Sequence, residues 1–452
     1  MPAAPRPYRT ARIELRVTLT SRLKVLAASD RLIRRNLLLY RAIQRELAAF
    51  ERLDADQRRK WQLDRLRALL KIAGRSAYGK QAGASGFLGD WPILEKAAIR
   101  QDPESFSVSP RWLTVGATTS GTTGTPLRLQ RSFRSVVAEQ VMVDRMVASA
   151  GLSPLRCRAA TLRGDDIKPI GDRTPPFWRV ANGGHRLVFS SNHLDRDSAT
   201  HFVAALRRYR PDVIFAYPTA LEQLCSLMLQ RGERMHVPLT ACSSEVLSKA
   251  TSDLAREALG TRIIGYYGQA ERVAWAQGDP DNGYCFDPTY AVVELRPVES
   301  GDDADTYEII GTGLWNRAMP LIRYRTGDQI KAPRGSNAAA IAEGRERFTT
   351  IVGRDNDYLV APSGAHLIAI NHIPRNVPHL VRAQFVQNSV HSVTLLVIAA
   401  PGFDDQSRRQ LLQQASVKFP PSMNIRIETT TQLFRNRSGK APLVIRNLDG
   451  GT

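Results

Sequence analysis

The chain has 452 residues, 43% of them apolar and 23% charged, and its 63 Lys+Arg against 43 Asp+Glu give a net charge of +20. That balance excludes wholesale disorder, and the length predicts two or three domains. The excess base points to an anionic partner (nucleic acid, nucleotide, membrane surface or acidic protein) and says nothing of the fold.

The first 80 residues hold 20 Lys+Arg against 7 Asp+Glu, so +13 of the +20 sits there. Three prolines in the first ten residues predict a frayed start. Leu32, Ile33, Leu37, Ile43 and Leu47 then recur at helical spacing among Arg31, Arg34, Arg35, Arg41 and Arg45. A second amphipathic run over 61–73 sets Leu63, Leu66, Leu69 and Leu70 on one face. Two readings stand for this region. Its helices pack on the body with their arginines solvated, or they dock acidic protein or lipid headgroups in peripheral membrane contact.

Strand-like runs at 213–216, 262–266 and 290–295 alternate with helical stretches at 135–150, 198–209, 220–231 and 249–259. The alternation predicts a largely parallel sheet covered by helices. From Tyr307 shorter strands and turns are expected. After Gly353 a compact tail follows, with strands near 383–386 and 392–399, a helix at 404–418 and a strand at 424–428. The expected organisation is α/β: a basic helical extension at 1–60, a large domain at 61–355 and a small α+β domain at 356–452.

Cys157, Cys225, Cys242 and Cys285 lie far apart with no C-x-x-C, which predicts reduced thiols and a cytoplasmic setting. No apolar run approaches the ~18 residues that span a bilayer. The eight histidines form no H-E-x-x-H and no pairing with cysteine, and there is no G-x-S-x-G elbow. A zinc site and a serine hydrolase are therefore disfavoured. No specific nucleic-acid motif accompanies the charge.

The strongest local signal is Thr118-Thr119-Ser120-Gly121-Thr122-Thr123-Gly124-Thr125-Pro126. Glycines let backbone N–H groups approach an anion closely, and hydroxyls add donors. G-K-[ST] is missing, so it is not a Walker loop. Alone, such a stretch reads either as a phosphate cradle or as a plain turn. Downstream come Tyr266-Tyr267-Gly268-Gln269-Ala270-Glu271, Pro320-Leu321-Ile322-Arg323-Tyr324-Arg325-Thr326-Gly327-Asp328, Gly353-Arg354-Asp355-Asn356-Asp357 and Arg437-Ser438-Gly439-Lys440.

This ordered set resembles the adenylate-forming superfamily of acyl- and aryl-CoA ligases, adenylation domains and luciferases. It is most similar to the phenylacetate–CoA ligase group and its capsule-biosynthesis (CapK-like) branch. Trp91-Pro92-Ile93-Leu94-Glu95-Lys96, Leu162-Arg163-Gly164, Ser190-Ser191-Asn192-His193-Leu194 and Tyr217-Pro218-Thr219 add to that likeness over residues 62–445. The resemblance implies a large adenylate-forming domain with helix-covered sheets and a small, mobile C-terminal domain. It implies that ATP and a carboxylic acid, aryl or short acyl, give acyl-AMP and pyrophosphate.

By the same resemblance, Thr119, Ser120, Gly121, Thr122, Thr123 and Gly124 cradle the phosphates and Glu271 holds Mg2+. Tyr267, with Gly268 and Gln269, faces adenine, and Ser244 and Glu245 stand where relatives have a short adenine-binding loop. Asp328 accepts from the ribose hydroxyls with Arg354 assisting, Asn356 is the hinge, and Lys440 stabilises charge during adenylation. The acid is expected between the Tyr217-Pro218 segment and Tyr266. After rotation of the small domain, the acceptor is CoA, an acidic carrier protein or an amine.

Three positions depart from the family pattern. Thr125 stands where Lys is frequent, Ala270 replaces a hydroxyl residue, and Asn356 replaces Asp or Lys. These losses keep a second reading open, a non-catalytic protein of this fold whose basic N-terminal region binds a polyanion.

Overall fold

The computed structural model describes residues 33–83, 85–118, 127–163, 165, 167–168, 172, 174–301, 303–352, 359–362, 366–367, 370, 373–374, 377–435 and 441–448. Two helices come first, α1 (Leu37–Glu51) and α2 (Ala55–Ala73). Asn36 caps α1 through its side chain, and Asp54 with Gln57 forms a capping box on α2. Each satisfies backbone N–H groups that a helix start leaves without partners. A hairpin of β1 (Thr114–Thr118) and β2 (Arg128–Ser132) leads into α3 (Phe133–Ala148).

The body is built on strands β3 (Ala159–Arg163), β4 (Trp178–Ala181) and β5 (Arg186–Ser190), then helix α4 (Ala199–Tyr209). Strand β6 (Val213–Ala216), helix α5 (Pro218–Gln230), strand β7 (Leu239–Ser243) and helix α6 (Lys249–Leu259) follow. Strands β8 (Arg262–Gly268), β9 (Trp275–Asp279) and β10 (Gly283–Phe286) complete an eight-stranded sheet. Its order is β10-β9-β8-β7-β6-β3-β5-β4, with β8, β7, β6, β3 and β5 parallel and the outer strands antiparallel. Every residue of β6 and β7 is buried, as expected of central strands covered on both faces.

A second sheet is antiparallel throughout: β11 (Ala291–Ser300), β12 (Ala304–Gly313), β13 (Tyr324–Pro333) and β14 (Thr350–Val352). Here the expectation of short strands past Tyr307 is corrected, since β12 and β13 each run ten residues. A bulge between Glu308 and Ile310, with Gly311, Gly313 and Gly327 in these strands, breaks the alternation that makes a strand readable.

The tail is a separate small α+β body. After a short pair, β15 (Leu359–Val360) with β16 (His366–Leu367), come β17 (Leu380–Ser389), β18 (Ser392–Ala399), α7 (Asp405–Lys418), β19 (Asn424–Thr429) and β20 (Val444–Arg446). Its sheet order is β19-β18-β17-β20, and Phe385, Leu395, Val397, Leu411 and Ala415 lie in its own core. The α/β organisation of a large body and a small tail is the one expected. The boundary between them and the hinge Asn356 lie outside the described residues.

The boundary drawn at residue 60 does not separate α1 from the body. Tyr40, Ile43 and Leu47 share one core with Leu66, Leu69 and Leu70 of α2, Val137 and Met142 of α3, and Trp275 and Trp315. Leu63 is the exception to its expected stripe, 41% exposed. Arg35 is not solvated either: its Nη2 and Nε lie 2.8 and 3.1 Å from the buried Asp144 carboxylate, which also accepts from Tyr40 Oη at 2.6 Å. Glu46 holds Arg65 of α2 and, at 2.9 Å, Arg134 of α3, while the Arg65 guanidinium covers the Trp315 ring at 3.9 Å. For residues 37–60 the packing reading therefore holds. Residues 1–32, where docking was the other reading, lie outside the described residues.

Candidate active site

Parallel strands present their carboxyl ends along one edge of the sheet, where open α/β folds bind ligands. At the end of β8, Tyr267 Oη donates to Asp328 Oδ2 of β13 at 2.8 Å and accepts from Gln269 Nε2 at 2.5 Å. Burial, and after it the Asp328 carboxylate, pushes the Tyr267 hydroxyl well above its ordinary pKa, so it remains a donor. The Asp328 backbone N–H donates to Thr326 Oγ1 at 3.0 Å, and that hydroxyl donates to Ile309 O at 2.8 Å. Two sheets thus fix one carboxylate beside one tyrosine. Gln269 is held in turn by the Ala274 N–H, 3.3 Å from its Oε1.

Glu271 follows on the turn after β8 and is buried. Tyr324 Oη donates to its Oε1 at 2.9 Å, and Lys96 Nζ stands 3.8 Å from the same oxygen. The turn is pressed tightly against β12. A Cβ at Gly311 would lie 2.3 Å from Val273 O, and one at Gly313 would lie 2.1 Å from Arg272 O. Only glycine admits that approach, so two residues of β12 set the position of Glu271. Arg131 of β2 clasps the Ala270 carbonyl through Nη2 at 2.5 Å, placing a cation beside this turn.

Among the described residues no three His, Cys, Asp or Glu gather into a metal cage. Glu271 is a single buried carboxylate, which fits a Mg2+ ion drawing its remaining ligands from phosphate and water.

Ser244 is exposed in the left-handed region at φ 72°. The Glu245 side chain turns elsewhere. Its Oε2 accepts from Thr219 N–H at 2.9 Å and Oγ1 at 2.6 Å at the start of α5, and its Oε1 accepts from Ala441 N–H at 3.3 Å. Arg382 of the small body stands 3.6 Å from Oε2. Beside it, Arg435 donates to Ser191 O at 3.3 Å and to the Gln223 side chain. Glu245 therefore ties the two bodies together at the residue following Lys440.

The structure brings Tyr267, Gly268, Gln269, Glu271 and Asp328 to one edge, with Ser244 and Glu245 on the loop after the neighbouring strand. Thr119, Ser120, Gly121, Thr122, Thr123, Gly124, Arg354 and Lys440 lie outside the described residues. Sequence reasoning gave no role to Tyr324, Lys96, Arg131 or Arg163. Tyr324, Lys96 and Arg163 were inside quoted motifs, so position alone pointed to them; Arg131 carried no signal. No helix of the described residues is long and apolar enough to cross a membrane.

Comparison with known proteins matches residues 48–290 to the AMP-binding enzyme family and residues 359–447 to the CapK C-terminal domain. Protein CapK of Staphylococcus aureus is 20% identical over 368 residues, 79% of this chain and 80% of its own. A phenylacetate-coenzyme A ligase of Aromatoleum evansii is 22% identical over 363 residues, 74% of this chain and 78% of its own. Among solved structures, 2-hydroxyisobutyryl-CoA ligase in the postadenylation state, in complex with R3-HIB-AMP, is similar with a TM-score of 0.60. At 14% identity, covering 87% of this chain and 90% of that one, it is a likeness of fold.

Proposed function

The chain belongs to the AMP-binding enzyme family, in its CapK and phenylacetate–CoA ligase branch, and from that premise we propose that it activates a carboxylic acid with ATP and passes the acyl group to CoA. The observation that carries this reading is the Tyr267–Asp328 hydrogen bond beside the buried Glu271.

In this reading Asp328, held by Tyr267 and Thr326, accepts hydrogen bonds from the ribose diol. Arg354 assists it, and Tyr267, Gly268, Gln269 and the Ser244–Glu245 backbone line the adenine. Thr119, Ser120, Gly121, Thr122, Thr123 and Gly124 hold the phosphates through N–H and hydroxyl donors. A carboxylate oxygen of the acid attacks the α-phosphorus, the bond to the bridging oxygen breaks, and pyrophosphate leaves with that electron pair. Lys440 stabilises the charge on the pentavalent centre. When bound at Glu271, Mg2+ supplies charge neutralisation between the two anions that must meet. Rotation at Asn356 then admits the acceptor thiol, whose sulfur displaces AMP from the acyl carbon.

ATP–pyrophosphate exchange over a panel of carboxylic acids tests this. At least one acid should support exchange, and Lys440→Ala should lower it about 100-fold or more. Acyl-CoA should then form when CoA is added. Silence with every acid, alongside tight salt-sensitive polyanion binding, would establish the non-catalytic reading instead.

A further inference from the structure

On the same sheet edge, a second cluster gathers around a residue that the nucleotide reading leaves unused. Arg163 ends β3, Tyr217 follows β6, Ser243 ends β7, and Tyr266 lies near the end of β8. The sheet order β8-β7-β6-β3 brings these four carboxyl ends side by side. Arg163 Nη2 donates to Tyr266 Oη at 2.9 Å and to Ser243 Oγ at 3.3 Å. Its Cζ stands 5.7 Å from the Tyr217 ring centroid. The guanidinium therefore bridges the two tyrosines between which the acid is expected.

Tyr266 and Tyr267 are adjacent on one strand, so they face opposite sides of it. Tyr267 turns to Asp328, and Tyr266 turns to Arg163 while stacking on Trp275, with ring centroids 5.1 Å apart. The tyrosine that holds Arg163 is thus itself fixed. Arg163 Nε is buried and has no hydrogen-bond partner among the described residues. Burial works against the charge on this guanidinium, while Tyr266, Tyr217 and Asp165 favour it.

An unsubstituted aryl or alkyl acid placed here sets hydrocarbon against a half-buried cation. A cation covered by hydrocarbon gives up hydration that nothing replaces. A second oxygen on the acid removes the penalty, and a second carboxylate does so most strongly, through charge-assisted hydrogen bonds.

Resting on the proposed acid-activating reading, we infer that Arg163 is a specificity-determining residue, and that the substrate is a carboxylic acid bearing a second oxygen group, hydroxyl or carboxylate. Sites built to bond such a group discriminate strongly against analogues that lack it.

The test compares kcat/KM for ATP–pyrophosphate exchange with matched acids: butyrate against 3-hydroxybutyrate and succinate, and phenylacetate against 4-hydroxyphenylacetate. The intact chain should favour an oxygen-bearing member by about 10-fold or more. Arg163→Met should erase that preference, bringing kcat/KM for the acids of each pair to within about 2-fold of one another. Exchange that is equal within every pair, or favours the plain acid, overturns the role of Arg163 and leaves acid activation standing. Silence with all acids overturns both. The wild-type comparison does not depend on the variant folding, and a melting curve of Arg163→Met separates lost preference from lost structure.

Discussion

Glu222 sits on α5 with no exposed surface, and its Oε2 accepts from Thr251 Oγ1 of α6 at 2.9 Å. Burial pushes its carboxyl up to about 7; Arg382, Thr251 and Arg435 pull it down, and Glu245 pushes it up. An ordinary glutamate titrates near 4.3, so between there and about 7 the folded chain binds a proton that the unfolded chain lacks. Stability from this group is complete below that window and is lost as the pH rises through it. Glu222→Gln keeps a neutral acceptor at every pH. The variant should match the wild type at pH 5 and exceed it by a few degrees in melting temperature at pH 8. A gap that is constant across that range would dismiss a proton on Glu222.

At the scale of elements, α1 is the part whose placement matters most. Tyr40, Ile43, Leu47 and Phe50 are all buried, and Leu47 is 1% exposed. Leu47→Ala should cost about 2–5 kcal/mol in denaturant unfolding, the usual range for truncating a packed leucine. A loss under about 1 kcal/mol would show α1 to be an appendage. Helices were the legible elements: α6 runs 249–259 as expected, because its apolar residues recur at the helical period and Gly260 stops it in the left-handed region. Strands β12 and β13 were hidden by their bulge and glycines. Among the residues expected at the site, Tyr267, Glu271 and Asp328 each stand in a contiguous motif, so the sequence alone could nominate them. The contact of Arg163 with Tyr266 could not, since 103 positions separate them and only the strand order joins them.

For the whole molecule, the charge that first suggested nucleic acid has other uses. Arg35, Arg65, Arg131, Arg134 and Arg435 each hold a carboxylate, carbonyl or side-chain amide between elements. Burial lowers Arg435 to about 10, which leaves it a cation at neutral pH. Glu245 is the centre of the junction between the two bodies, accepting from the Thr219 and Ala441 N–H groups. In Glu245→Ala both amides should exchange with deuterium about 10-fold faster or more, while the α6 amides keep their wild-type rate. Unaltered exchange at Ala441 would remove Glu245 from the junction.

That one carboxylate touches both bodies has a thermodynamic consequence. A ligand at the Ser244–Glu245 loop that draws Glu245 from Ala441 weakens the hold on the small body by a definite free energy. By reciprocity, docking of the small body weakens that ligand by the same amount. Occupancy at the sheet edge and the position of the tail are then two readings of a single equilibrium, joined at Glu245.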